Sequence, residues 1–284
     1  MAYAELTPVS GGATVRLDAD KYTGLMLGTA AGWYGTPSAK VDMAERAGGN
    51  GAFPVCDGGV LYSARTVTLG ICASGDTYAE MVSRMDEVGA LSGKMVKLLI
   101  DGDEGATIAT GYVQVEWDEG PMPAMDTGTL TIVCPDPRRY GTTPHRAYLS
   151  PGASAGALAW HADAPHGLLW PLSFGDGGAV ANVATLRNDG TSAAYPVITA
   201  SGDMAGLVLT DASTGAQLAW DGHVGVQPVV LDCLSRAASV AGVDASRLLS
   251  ARGFPSVPAG GEVTLALTAT GTGTVCVEWR DTYI

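Results

Sequence analysis

The chain has 284 residues, 46% of them apolar and 16% charged, enough apolar material for two packed domains, which excludes a disordered, solvated tail. Sixteen Lys and Arg against 29 Asp and Glu leave a net charge of −13, which excludes the counterion-releasing grip on phosphates that specific nucleic-acid binding or an anionic membrane surface requires. The 39 glycines and 15 prolines follow no period, so they exclude a helical bundle and point to short strands joined by turns.

Strands are predicted at 13–17, 60–72, 94–100, 112–117 and 127–133, where apolar and polar residues alternate with the period of a half-buried sheet. In the fourth of these, Val113, Val115 and Trp117 share one face, and Tyr112, Gln114 and Glu116 the other. Asp101, Gly102, Asp103, Glu104 and Gly105 read as a hairpin loop between two strands. One helix interrupts the pattern. Thr77 caps it, Glu80 completes a capping box, Met81, Met85, Val88 and Leu91 fall on one face, and Gly93 ends it.

Prolines at 135, 137, 144, 151, 165 and 171 then break the strand pattern, because proline cannot donate to a sheet ladder. The expected division is a first domain at 1–141, a proline-rich connector at 142–181 and a second domain at 182–284. In the second domain short strands at 197–200, 206–210, 217–220 and 226–231 precede the clearest pair, 263–268 and 275–279, which flank Gly271, Thr272 and Gly273. That spacing predicts an antiparallel β-sandwich.

Residues able to do chemistry are sparse. The five cysteines, Cys56, Cys72, Cys134, Cys233 and Cys276, are odd in number and contain no Cys-x-x-Cys pair, so neither a disulfide framework nor a zinc site is expected. The opening residues carry no secretory signal pattern and no apolar run approaches the ~20 residues that cross a bilayer, which predicts a soluble product of a reducing cytoplasm. The histidines are His145, His161, His166 and His223. His161, Asp163 and His166 could face a metal, but Pro165 breaks any helix that would align them and a fourth ligand is lacking. The Asp101–Glu104 stretch lacks the later ligands of a calcium loop. The glycine clusters at 48–51 and 175–178 match no nucleotide-binding fingerprint, and no Gly-x-Ser-x-Gly elbow occurs. No catalytic residue, metal or cofactor is therefore expected.

A resemblance carries further than any motif. Ala47 to Ala52, then Asp57 to Ile71 with Arg65 in its strand, then the helix, Cys134-Pro135-Asp136-Pro137-Arg138-Arg139-Tyr140 and Gly167 to Phe174 follow one another in a recognisable order. So do Leu186-Arg187-Asn188-Asp189-Gly190-Thr191, Tyr195-Pro196-Val197-Ile198, Leu231-Asp232 before Arg236, Phe254-Pro255 before Pro258-Ala259-Gly260-Gly261, and the closing residues 277–284. In this order the chain resembles the distal tail proteins of long-tailed bacteriophages, also called minor tail proteins or baseplate hub components. It departs from them mildly at Gly261-Glu262, where the family usually has Asn.

The resemblance implies a mainly β, two-domain fold: an N-terminal belt domain with one helix and a C-terminal galectin-like antiparallel β-sandwich. It implies a structural virion protein, made in the host cytoplasm, forming a hexameric ring that joins the tail tube to the host-recognition apparatus. The implied partners are further copies of itself, the tail tube and tape-measure proteins, and a tail-tip hub, a tail-associated lysin or receptor-binding proteins. DNA passes through the lumen unbound, with Asp101, Asp103 and Glu104 as candidate lumen residues. Trp220, His223 and Trp279 are the candidate contacts of the outer domain with host carbohydrate, core packing being the competing role of both tryptophans. The alternatives are a carbohydrate-binding β-sandwich module, expected to bind glycans as a monomer, and a β-rich hydrolase, which needs a convergent acid–base pair.

Overall fold

A computed structural model describes residues 3–41, 43–53, 60–102, 105–118, 120, 124–151 and 182–284. The chain is mainly β and divides into two compact units, Met1–Thr142 with Tyr283–Ile284, and Thr143–Thr282. Most of the stretch read as a connector, including His161, His166 and the prolines at 165 and 171, lies outside the described residues.

The first unit is built from β1 (Tyr3–Pro8), β2 (Val15–Asp18), β3 (Gly24–Ala31), β4 (Arg65–Ser74), α1 (Tyr78–Gly89), β5 (Met95–Gly102), β6 (Gly105–Trp117), β7 (Met125–Cys134) and the short β8 (Arg139–Gly141). Because β6 pairs with β7 as well as with β5, seven strands close into a barrel in the order β6, β5, β1, β2, β3, β4, β7. Closure removes the free edges that an open sheet would expose. Alternation along each strand sends Leu6, Leu17, Leu69, Leu98, Leu130 and Ile132 into the interior, all fully buried. The alternation at 94–100, 112–117 and 127–133 marks β5, β6 and β7, whereas β1 and β3 have no counterpart among the predicted strands. The strand predicted to begin at residue 60 begins at Arg65.

Helix α1 starts where its cap predicts. Thr77 has extended backbone and its Oγ1 accepts the Glu80 N–H at 3.3 Å. Glu80 Oε2 accepts the N–H of Asp76 at 2.8 Å, one residue before the reciprocal partner of a standard capping box. Met81, Val88 and Leu91 are buried; Met85 is only half-buried. Replacing Thr77 with Ala is expected to destabilise the first unit by about 1 kcal/mol, read as a lower urea midpoint with unchanged slope.

The second unit contains β9 (His145–Leu149), β10 (Val183–Asn188), β11 (Val197–Asp211), β12 (Gln217–Trp220), β13 (Val229–Asp232), β14 (Ala237–Val240), β15 (Val243–Asp244), β16 (Leu249–Arg252) and β17 (Gly261–Trp279). The long strands β11 and β17 pair antiparallel from Val197↔Glu278 to Asp211↔Leu265, with an irregularity between Met204 and Leu207. At that irregularity Gly271 has φ +117°, and a Cβ there would meet the Asp203 carbonyl oxygen at 2.2 Å, so only glycine permits the close crossing. On one side of the irregularity β11 and β17 pair with β13 and β9; on the other they pair with β12 and β10. The result is an antiparallel sandwich whose two layers share their central strands. Ile198, Leu209, Leu218, Leu231, Leu265, Val275 and Val277 pack in its single core. Strand β9 lies in the stretch that the proline pattern assigns to the connector, between Pro144 and Pro151.

Asn188 closes one corner of the sandwich. It is fully buried, its Nδ2 donates to the carbonyls of Ser192, Pro258 and Val257 at 2.8, 3.2 and 3.4 Å, and its Oδ1 accepts the N–H groups of Gly190 and Thr282 at 3.0 and 3.1 Å. One amide thus satisfies five backbone groups from three separate segments.

Candidate assembly surface

Between β3 and β4 the chain leaves the barrel and returns as an arm. The arm is a loose ladder: Ser63 N–H donates to Ser38 O at 2.9 Å, Lys40 N–H to Leu61 O at 2.6 Å, Phe53 N–H to Ala44 O at 2.9 Å and Arg46 N–H to Gly51 O at 3.0 Å. Ala39 bridges Tyr62, and Glu45 bridges Ala52. Among the described residues from 34 to 64 none is buried, and Met43, Phe53 and Leu61 are 61, 60 and 67% exposed. The Arg46 guanidinium stands 5.7 Å from the centre of the Phe53 ring. Alternation is absent from most of this sequence, which is why no strand is predicted for its outgoing half.

The root of the arm is as fixed as its length is bare. Arg65, only 1% exposed, donates through Nη1 to the carbonyls of Gly32, Trp33 and Gly35 at 2.7–2.8 Å and through Nε to Pro137 O at 2.8 Å. It is the first residue of β4, so one guanidinium ties the outgoing root of the arm to its return. Burial, and next the charge of Arg139, lower its pKa. Gly32 has φ +78° and lies so close to β4 that a Cβ would fall 2.2 Å from Thr66 O. Trp33 is completely buried beside it, and Arg139 lies over the rings of Trp33 and Tyr34 at 5.6 and 5.2 Å.

A second uncovered feature of the first unit is a surface groove of about 520 Å³ along α1. Tyr78, Met81, Val82 and Met85 of the helix form one side, and the Trp117 indole forms part of the other. Trp117 lies against Gly128 of β7, where a Cβ would come within 2.8 Å of the indole. Two carboxylates border this apolar strip. Asp126 accepts the N–H groups of Gly120 and Thr127, while Asp86 is exposed to solvent.

The residues singled out from the sequence are distributed differently. Asp101 is half-buried at the end of β5, opposite Tyr3; Asp103 and Glu104 lie outside the described residues. Trp220 and Trp279 are 1 and 8% exposed and belong to the sandwich core, so neither ring offers a face on which a sugar could stack. The reason is parity: Trp220 points with Leu218, and Trp279 with Val275 and Val277, into the core. Trp279 stacks on His145 at 5.5 Å and donates its Nε1–H to Arg187 O. His145 in turn meets Asp281 at 3.0 Å. His223 is exposed and pairs with Asp203 at 2.8 Å.

Among the described residues no group of three His, Cys, Asp or Glu side chains is placed to hold a metal, and no helix is long and apolar enough to cross a membrane. Cys72, Cys134, Cys233 and Cys276 are free thiols; Cys56 lies outside the described residues. Burial pushes the Cys134 thiol up to about 11 and the Cys233 thiol up to about 12. At pH 8 both stay protonated, so iodoacetamide is expected to label half-buried Cys276 long before Cys134 or Cys233, which react only after unfolding. Peptide mass mapping checks this order.

No family model matches the sequence, and no curated protein matches it. Among solved structures, the SPP1 Dit protein, described as a paradigm of the hub adsorption apparatus of phages that infect Gram-positive bacteria, superposes with a TM-score of 0.64 at 14% identity over 99% of both chains. A chain of the phage P2 baseplate in its activated conformation with calcium matches with a TM-score of 0.50 at 10% identity, over 98% of this chain and 97% of that one. The likeness is one of fold, and it spans the sequence: the chain has the two-unit β fold of the SPP1 Dit protein.

Proposed function

We propose that this chain is a structural component of a bacteriophage tail tip, with the first unit forming a six-copy ring that continues the tail tube. The whole-length match to the SPP1 Dit fold carries this reading. Two features of the chain support it. The arm and the α1 groove are uncovered on one unit, and two different complementary patches on one subunit are what a head-to-tail, ring-closing contact requires. The net charge of −13 suits a passage through which DNA slides without displacing counterions.

In this role the ring joins the tube and tape-measure proteins to a tail-tip hub, lysin or receptor-binding protein, and its specificity comes from shape and surface charge. Glycan contact through Trp220, His223 and Trp279 does not enter the proposal, because two of the three are core residues. Negative-stain imaging of the purified chain is the test. Closed rings with a central opening are the expected particles; a field of compact single copies at every concentration, combined with glycan binding in an array, would instead favour the carbohydrate-binding module.

A further inference from the structure

We infer that the arm of one copy seats its tip, Phe53 with Arg46 over the ring, in the α1 groove of the next copy. This deepens the ring reading and rests on it for the identity of the partner. A two-stranded ribbon with no core of its own is marginal in water, and this one exposes Met43, Phe53 and Leu61. It therefore needs an apolar surface that its own barrel does not give it.

Reach is sufficient. Fully extended, the eight steps from Ser38 to Arg46 would reach about 26 Å, against a radius of gyration of about 14 Å for a compact unit of this size. The arm can extend past its own unit onto a neighbour.

The groove offers what the tip requires. Met81 and Met85 make an adaptable floor, and Tyr78 and Trp117 supply broad aromatic walls. The charge match is local. Lys40 and Arg46 are balanced along the arm by Asp42 and Glu45, but Arg46 is the charge beside Phe53, and the groove has the exposed carboxylate of Asp86 at its border. Burying Phe53 against the methionines would place the Arg46 guanidinium at the rim, where Asp86 can receive it.

The test uses the full chain with a benzophenone-bearing phenylalanine analogue at position 53, mixed with an equal amount of isotopically heavy chain, irradiated and mapped by mass spectrometry. Links between light and heavy copies that fall within Tyr78–Gly89 are expected. Arg46→Glu should weaken association about tenfold and Asp86→Arg should restore it in the double variant, with the far-ultraviolet circular dichroism unchanged. Links from position 53 to any other segment of a neighbour, or within one copy only while oligomers are present, would overturn the arm-in-groove contact and leave the ring intact. Links to α1 in open, unclosed chains of subunits would support the contact and contradict the ring. A chain that never associates would contradict both.

Discussion

Replacing Arg65 with Met is expected to lower the melting temperature of the first unit by about 10 °C and leave the transition of the second unit in place. The side chain is deeply buried and donates to four carbonyls, three on the outgoing root of the arm and one at Pro137. Methionine fills most of the volume but satisfies none of these oxygens. The Trp33 carbonyl, buried and left without a donor, costs about 1–3 kcal/mol, the three part-buried carbonyls add about 1 kcal/mol each, and relief from burying a charge offsets part of the sum. A net loss of about 3 kcal/mol follows, which corresponds to that shift at about 2–4 °C per kcal/mol for a unit of this size. Differential scanning calorimetry would register it. Faster amide exchange in 32–46, with protection retained in β5 to β7, would show that the change loosens the arm's root rather than the barrel. A variant that melts like the parent would contradict the clamp.

Asn188→Ala should do comparable damage to the second unit, about 3–5 kcal/mol, through a different geometry. Five backbone groups converge on this one amide; Val257 O and Pro258 O keep the N–H groups of Ala194 and Gly261, but alanine takes from Ser192 O and from the N–H groups of Gly190 and Thr282 their partner at a fully buried position. Asn188→Asp separates the two halves of the effect. The carboxylate keeps the acceptor for Gly190 and Thr282 but presents oxygens to the carbonyls of Ser192, Val257 and Pro258, so at neutral pH it should be at least as destabilising as alanine. Trp fluorescence follows both units, since Trp33 and Trp117 lie in the first and Trp220 and Trp279 in the core of the second, so the second unit is read from its own calorimetric transition. An aspartate variant as stable as the parent would mean that the donor half of the amide is dispensable.

Arg65 and Asn188 also show what could be read from the sequence and what could not. Both lie in the segments that carry the resemblance to distal tail proteins, so their positions are conspicuous. Their chemistry is not, because the partners of Arg65 lie at 32–35 and 137 and those of Asn188 at 190, 192, 257, 258 and 282. Such hubs depend on the fold and leave no local pattern.

Regular elements with a buried face are legible. Val263, Leu265 and Leu267, and Val275, Val277 and Trp279, alternate because one side of β17 meets the core, and α1 announces itself through its cap and the spacing of Met81, Val88 and Leu91. The same alternation already places Trp279 with its inward neighbours, so its burial is written in the strand. Strand β3, which reads Gly-Leu-Met-Leu-Gly-Thr-Ala-Ala, has no such period, since its pairing on both sides, and not a single apolar face, fixes it. The arm is illegible for the opposite reason. None of its described residues is buried in a core, so no buried face imposes a pattern on them, and the apolar Val60 and Leu61 read as the start of β4 when they belong to the segment that precedes it.

That the chain acts by stacking with copies of itself is tested most directly by mass photometry of the untagged protein across a concentration series. A species at six times the 28.9 kDa chain mass, growing with concentration and reduced by Arg46→Glu, is the predicted result. A single 28.9 kDa species at every concentration would contradict it.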